Sequence, residues 1–201
     1  MNPRKLMAVA LYAAVCVSTT ALAADDFGIE SASPVTIADP INPKPGMIFR
    51  GYNLNTQYDE KLAALGTTLA SAPTVKTAVV VTEQFAFDTF LNNVEINQGV
   101  WEGFLKCKRT ANCTFLLKQK GDYSGGGFLL FVNGQKVIYK SGTGQQSANV
   151  RLKVGFNHIK IISQARYPVD VFLSPTGSTK PPRQLSPKMM YYDDKPEDDV
   201  I

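Results

Sequence analysis

Through the middle of this chain apolar residues recur at every second position, the spacing of β-strands with one face in a core and one in water. In "VRLKV", Val150, Leu152 and Val154 alternate with Arg151 and Lys153, and after a turn at Gly155-Phe156-Asn157 the segment "HIKII" brings Ile159 and Ile161 inward again. In "FLLFVNGQKVIYK", Asn133-Gly134 stands between apolar β-formers. Both residues accept the positive φ of a type I′ turn, so a hairpin is predicted there. "GVWEGFLK", "CTFLLKQ" and "DVFL" add further short strands. One stretch follows a helical period instead: residues 59–70, with Asp59 as N-cap and Leu62, Leu65 and Leu69 on one stripe. The pattern predicts an all-β, antiparallel sandwich or barrel with one short helix.

The flanks lack this rhythm. Residues 24–45 are rich in proline, serine and acids, which predicts an extended leader, and from residue 175 the text "PTGSTKPPRQLSPKMMYYDDKPEDDVI" predicts a flexible, proline-rich acidic tail. The domain is therefore expected at 46–174, without internal repeats. Inside the tail, Met189, Met190, Tyr191 and Tyr192 form an apolar-aromatic patch in polar surroundings, the form of a short docking peptide.

Residues 1–23, "MNPRKLMAVALYAAVCVSTTALA", pair a basic start (Arg4, Lys5) with an apolar run and the small-residue site Ala21-Leu22-Ala23. This is the pattern of a cleaved export signal. The apolar run is shorter than the roughly 20 residues a hydrocarbon core requires, and no later segment qualifies. No integral membrane segment is expected after cleavage, and the protein is expected in the periplasm, at the cell surface or outside the cell.

Compartment decides how the cysteines are read. Of the three in the chain, Cys16 leaves with the signal, and Cys107 and Cys113 in an oxidising compartment most simply form one disulfide. In "FLKCKRTANCTFLL" they flank residues 108–112 between two strand-like segments, so they are expected to staple a hairpin. Closing so short a loop contributes about 2–2.5 kcal/mol. A zinc site would need four ligands, and the lone His158 cannot complete one with two cysteines; a redox pair is more often spaced C-x-x-C. Asn112-Cys113-Thr114 also fits a glycosylation acceptor, which matters only in a eukaryotic secretory pathway, whereas the short signal reads as bacterial.

Charge adds little. The formal net charge is +4, and losing Arg4 and Lys5 with the signal halves it. Nucleic acid binding would want a concentrated basic face; the one local cluster, Lys106, Lys108 and Arg109 at the stapled turn, reads as a solvated loop tip. His158 falls on the polar side of its alternation with no nucleophile arranged around it, and no carboxylate pair, triad or metal cluster emerges. No catalysis, metal or cofactor is expected. Trp101 reads as core filler, and Gly103 as a point where strands or sheets approach closely.

The order "PGMIFRGYNL", then "GVWEGFLKCKRTANCTFLLKQKGDYSGGGFLLFVNGQKVI", then "ANVRLKVGFNHIKI" resembles the PA14 module over residues 46–173. That module is a β-sandwich found in exported toxins, adhesins and carbohydrate-active proteins. The resemblance implies a recognition domain whose ligand loop precedes the "VNG" hairpin. Lectin-like members hold calcium there with two adjacent aspartates; here Asp122 lies between Gly121 and Tyr123, so the pair is missing and no metal is expected. The candidate ligand residues are Asp122, Tyr123, Gly125, Gly126, Gly127 and Asn133, with Tyr123 available to stack on a sugar or peptide. The expectation is a non-catalytic exported module that binds a glycan or protein at the bacterial surface. The alternative is a structural subunit of an envelope, secretion or pilus assembly, contacting partners through its ends.

Overall fold

The computed structural model describes residues 37–53, 74–86, 90–91, 94–119, 126–164 and 168–194. The chain divides into two compact units, Met1–Ser33 and Pro34–Ile201, and the described residues all belong to the second. The expected helix at 59–70 and the ligand residues Asp122, Tyr123 and Gly125 lie outside the described residues.

Every named element but one is a strand: β1 (Pro43–Pro45), β2 (Met47–Tyr52), β3 (Thr74–Val80), β4 (Phe90–Leu91), β5 (Val94–Glu95), β6 (Gln98–Cys107), β7 (Ala111–Gln119), β8 (Gly127–Val132), β9 (Gln135–Ser141), β10 (Gly144–Leu152), β11 (Gly155–Gln164), β12 (Val169–Pro175), β13 (Arg183–Leu185) and β14 (Tyr191–Asp193). The exception is a 3-10 turn, Pro187–Met189. An eight-stranded sheet runs β1-β14-β6-β11-β8-β9, with β2 and then β3 attached along the first half of β6. A four-stranded sheet runs β10-β7-β12-β13, and β4 pairs with β5. All pairings are antiparallel.

The period-two pattern explains why the sheets face each other. Phe115 and Leu117 of β7, Phe128 and Leu130 of β8, and Ile159 and Ile161 of β11 all point into the space between them, each at 0 % exposure. Trp101 fills its centre, with Phe49 and Phe85 tilted or edge-on against it at 5.2 and 5.9 Å. Burying aromatics of this size supplies much of the hydrophobic stabilisation. A second, smaller buried cluster, Tyr52, Val100, Leu129 and Ile162, lies on the opposite face of the larger sheet.

Four expectations need correction. Cys107 and Cys113 do not staple a hairpin: β6 belongs to the large sheet and β7 to the small one, and residues 108–110 arch between them. A two-strand hairpin wants residues with positive φ at its turn; Lys108-Arg109-Thr110 has none, whereas Asn133 (φ 50) and Gly134 (φ 79) make the β8–β9 hairpin as predicted. Both sulfurs are free thiols, so the expected disulfide is not present in the structure. Second, the turn after "VRLKV" comes earlier than expected, at Lys153-Val154, which leaves Val154 58 % exposed and lets Gly155 (φ 88) open β11.

The other two corrections concern the ends. Residues 183–193 are not a flexible tail: β13 pairs with β12, and β14 bridges β1 and β6. Met190 is 1 % exposed in the main core and Tyr191 packs edge-on to Phe156, so Met189, Met190, Tyr191 and Tyr192 form part of the fold rather than a free docking peptide. Prolines did not prevent this, because β14 lies between them and the turn Pro187–Met189 uses proline where no backbone donor is needed. β14 passes close to Gly103; a Cβ there would stand 2.8 Å from the Tyr191 carbonyl oxygen. The leader is likewise partly structured, since Pro43–Pro45 of β1 pairs with β14.

Candidate functional site

Register puts the ends of six strands together. In the small sheet Gly144, Gln119 and Val169 are successive cross-strand partners, and in the large sheet Gln164, Gly127 and Ser141 are, so the strand ends that flank residues 120–126, 142–143 and 165–168 are level within each sheet, and the Gln119 side chain joins the two sets. Gln119 fixes this end. Its side chain is 1 % exposed; its Nε2–H groups donate to Ser163 Oγ and the Gln164 carbonyl, each at 3.1 Å, and its Oε1 accepts from the Gly127 N–H at 3.0 Å. One carboxamide thus ties together the strands on both sides of the stretch 120–126. Gly126 is glycine because a Cβ would lie 2.8 Å from that same Oε1, and its carbonyl accepts from the Gly142 N–H at 2.7 Å.

Of the candidate ligand residues, Gly126 and Gly127 are therefore buried parts of the stem. Asn133 is not near them: it sits across the length of β8, at the opposite end of the sandwich. There its side chain is committed to structure, Oδ1 accepting from the His158 N–H at 2.9 Å and Nδ2 donating to Asn157 Oδ1 at 3.1 Å. Its expected ligand role is corrected to that of a turn residue that holds β11.

A polar group that sequence reasoning missed lies on the outer face of the large sheet. Arg50 of β2 donates from Nη1 to Glu102 Oε2 at 3.0 Å, and the His158 Nε2–H of β11 donates to Glu102 Oε1 at 2.9 Å. The His158 side chain is only 7 % exposed, with the Phe104 ring edge-on at 5.4 Å. Burial alone would raise the Glu102 carboxyl; the hydrogen bond from His158 and the charges of Lys160, His158 and Arg50 overcome it and hold the group at about 2. Each carboxylate oxygen thus accepts one bond from a neighbour, and the group anchors a structural ion pair with Arg50. Alternation had placed His158 on a polar position, but only the β6–β11 register shows that it meets Glu102.

The small sheet carries a third polar region. At the end opposite residues 120–126, its outer face is hollowed into an open cleft of about 270 Å³ lined by Asn112, Asn149, Val150, Arg151 and Thr176. Among the described residues no group of three or more His, Cys, Asp or Glu side chains could hold a metal ion, and no helix is long and apolar enough to cross a membrane.

No protein-family model and no curated protein sequence matches this chain. Solved structures do match its fold. An anti-sigma factor domain-containing protein from Clostridium clariflavum aligns at 15% identity and TM-score 0.51, over 77% of this chain and 49% of that one, so this chain spans about half that protein's length. The PA14 domain of the MpAFP antifreeze protein aligns at 12% identity and TM-score 0.55, over 79% of this chain and 96% of that one. The A domain of epithelial adhesin 9 from Candida glabrata, in complex with Galb1-4GlcNAc, aligns at 13% identity and TM-score 0.55, over 80% and 95%. With its two antiparallel sheets and these neighbours, the chain has a PA14-like β-sandwich fold.

Proposed function

We propose that this chain is a non-catalytic, exported recognition module that binds a glycan with residues 120–126 at one end of its sandwich. The observation that carries the reading is the stem: Gln119, buried and bonded to Ser163, Gln164 and Gly127, gives a rigid base to a segment that contains Asp122 and Tyr123. Binding residues on connecting segments held by a rigid scaffold are the usual arrangement for recognition. An adhesin domain of the same fold, solved in complex with Galb1-4GlcNAc, supports glycan as the ligand class. The pattern of residues 1–23 supports export. The alternative, an assembly subunit working through its tail, loses its main support, because Met190 and Tyr191 are spent on the fold.

An immobilised panel of uncharged glycans tests this. Wild type is expected to bind a subset of glycans, and Asp122→Ala and Tyr123→Ala are each expected to weaken binding several-fold at unchanged melting temperature. No binding at all, or binding that survives both substitutions, overturns the reading.

A further inference from the structure

The cleft on the small sheet has a definite chemistry. Alternation along β7 sends Cys113, Phe115 and Leu117 into the core and leaves Asn112 and Thr114 on the outer face. Register then sets Arg151 opposite Asn112 and Asn149 opposite Thr114. The Thr114 hydroxyl donates to Asn149 Oδ1 at 2.8 Å, which occupies the carboxamide oxygen and leaves its NH2 as the group to offer a ligand. Thr176 is held over the cleft because its N–H donates to the Asn112 carbonyl at 3.0 Å.

Charge is one-sided here. Among the described residues no carboxylate lines the cleft, whereas Arg151 does, and Lys108 and Arg109 are exposed in the arch that leads into β7. That arch is fixed in place, since Thr110 Oγ1 accepts from the Val154 N–H at 3.3 Å. The cleft lining therefore includes a guanidinium, a carboxamide and a hydroxyl, and the arch that leads into β7 carries two more cations. Guanidinium forks match carboxylate and sulfate oxygens, and amides and hydroxyls match sugar hydroxyls, which both donate and accept.

We propose that this cleft is a second binding site, for an acidic glycan: an oligosaccharide carrying carboxylate or sulfate groups. The site is separate from residues 120–126, at the other end of the sandwich, and does not depend on that reading. Nucleic acid fits less well, because among the described residues no aromatic side chain lines the cleft to stack a base. A protein partner fits less well, because the described lining has no large apolar anchor.

The test titrates the full chain by calorimetry with a sulfated heparin-derived oligosaccharide, an oligogalacturonate, a neutral malto-oligosaccharide and oligothymidylate, each at low and at physiological salt. At least one anionic glycan is expected to bind, more weakly as salt rises, and the better of the two identifies the anion. Removing a charged hydrogen bond by Arg151→Gln is expected to weaken that binding about tenfold. Asn149→Ala, which takes away that amide, is expected to weaken it several-fold, with melting temperature unchanged in both. Asp122→Ala is expected to leave it intact. The proposal is overturned if neither anionic glycan binds, if the neutral chain or oligothymidylate binds as tightly, or if Arg151→Gln and Asn149→Ala have no effect. Loss of anionic-glycan binding in Asp122→Ala alone also overturns it, while supporting the other end as the sole glycan site.

Discussion

Replacing Glu102 with glutamine keeps the shape of the side chain and removes only its charge. In the native protein the carboxyl titrates at about 2 against an ordinary 4.5, a gap worth on the order of 3 kcal/mol by proton linkage. The carboxylate is 32 % exposed, and solvent screening brings the expected figure to about 2 kcal/mol. The sign follows from proton counts. Between about 2 and 4.5 the unfolded chain binds more protons at this site than the folded one, so stability rises with pH through that window. The contribution is fully present above 4.5 and lost as pH falls through about 2. Denaturant unfolding of wild type and Glu102→Gln, repeated from near-neutral pH downward, reads this directly. Every other carboxyl titrates in both proteins, so the difference between the two curves isolates Glu102. Wild type should be more stable by about 2 kcal/mol at near-neutral pH, a gap of roughly 4–8 °C in melting temperature for a domain of this size. The gap should close toward pH 2. Two curves that run parallel down the whole range would refute the ion-pair account.

Two further outcomes are expected. Met190→Ala should cost about 2–4 kcal/mol, as for other buried methionines, because Met190 is 1 % exposed in the core; a thermal melt checks it, and an unchanged melting temperature would return this segment to a dispensable tail. Burial raises both thiols above their ordinary value of 9, Cys107 also through the neighbouring Cys113, while a hydrogen bond with Asn157 opposes the rise. Since the thiolate is the reactive form, iodoacetamide at neutral pH should label the reduced native protein slowly and the unfolded protein fast, and fast native labelling of Cys113 would contradict its burial.

What the sequence made legible is what depends on one strand or one turn at a time. The inward residues Leu152, Ile159 and Ile161 followed from alternation, and the β8–β9 hairpin from Asn133-Gly134. Buried Trp101 and the close approach at Gly103 were legible too, because each needs only its own strand and a generic neighbour. The tail was misread for a related reason. Composition averages over a window, and "YYD" is a short strand hidden among prolines and acids. Its pairing with β1 and Phe104 is a long-range fact that no window contains.

The error over the cysteines shows what local reasoning cannot supply. Two successive strands joined by a few residues can fold back in one sheet or arch into the opposite one, and both choices keep every apolar side chain buried. Here the chain arches twice at the same end, from β6 to β7 and, after β8 and β9, from β10 to β11, so β6 and β11 become neighbours in one sheet while β7 and β10 become neighbours in the other. That single topological choice builds two polar groups at once. On the large sheet it brings His158 beside Glu102. On the small sheet it sets Arg151 and Asn149 against Asn112 and Thr114, and so makes the cleft. Had "KCKRTANCT" closed a hairpin, β6 would have taken the place of β10 beside β7, and neither group could have formed. The candidate acidic-glycan site is thus a consequence of the arch, and its residues were visible in the sequence only as unrelated polar positions on two distant strands.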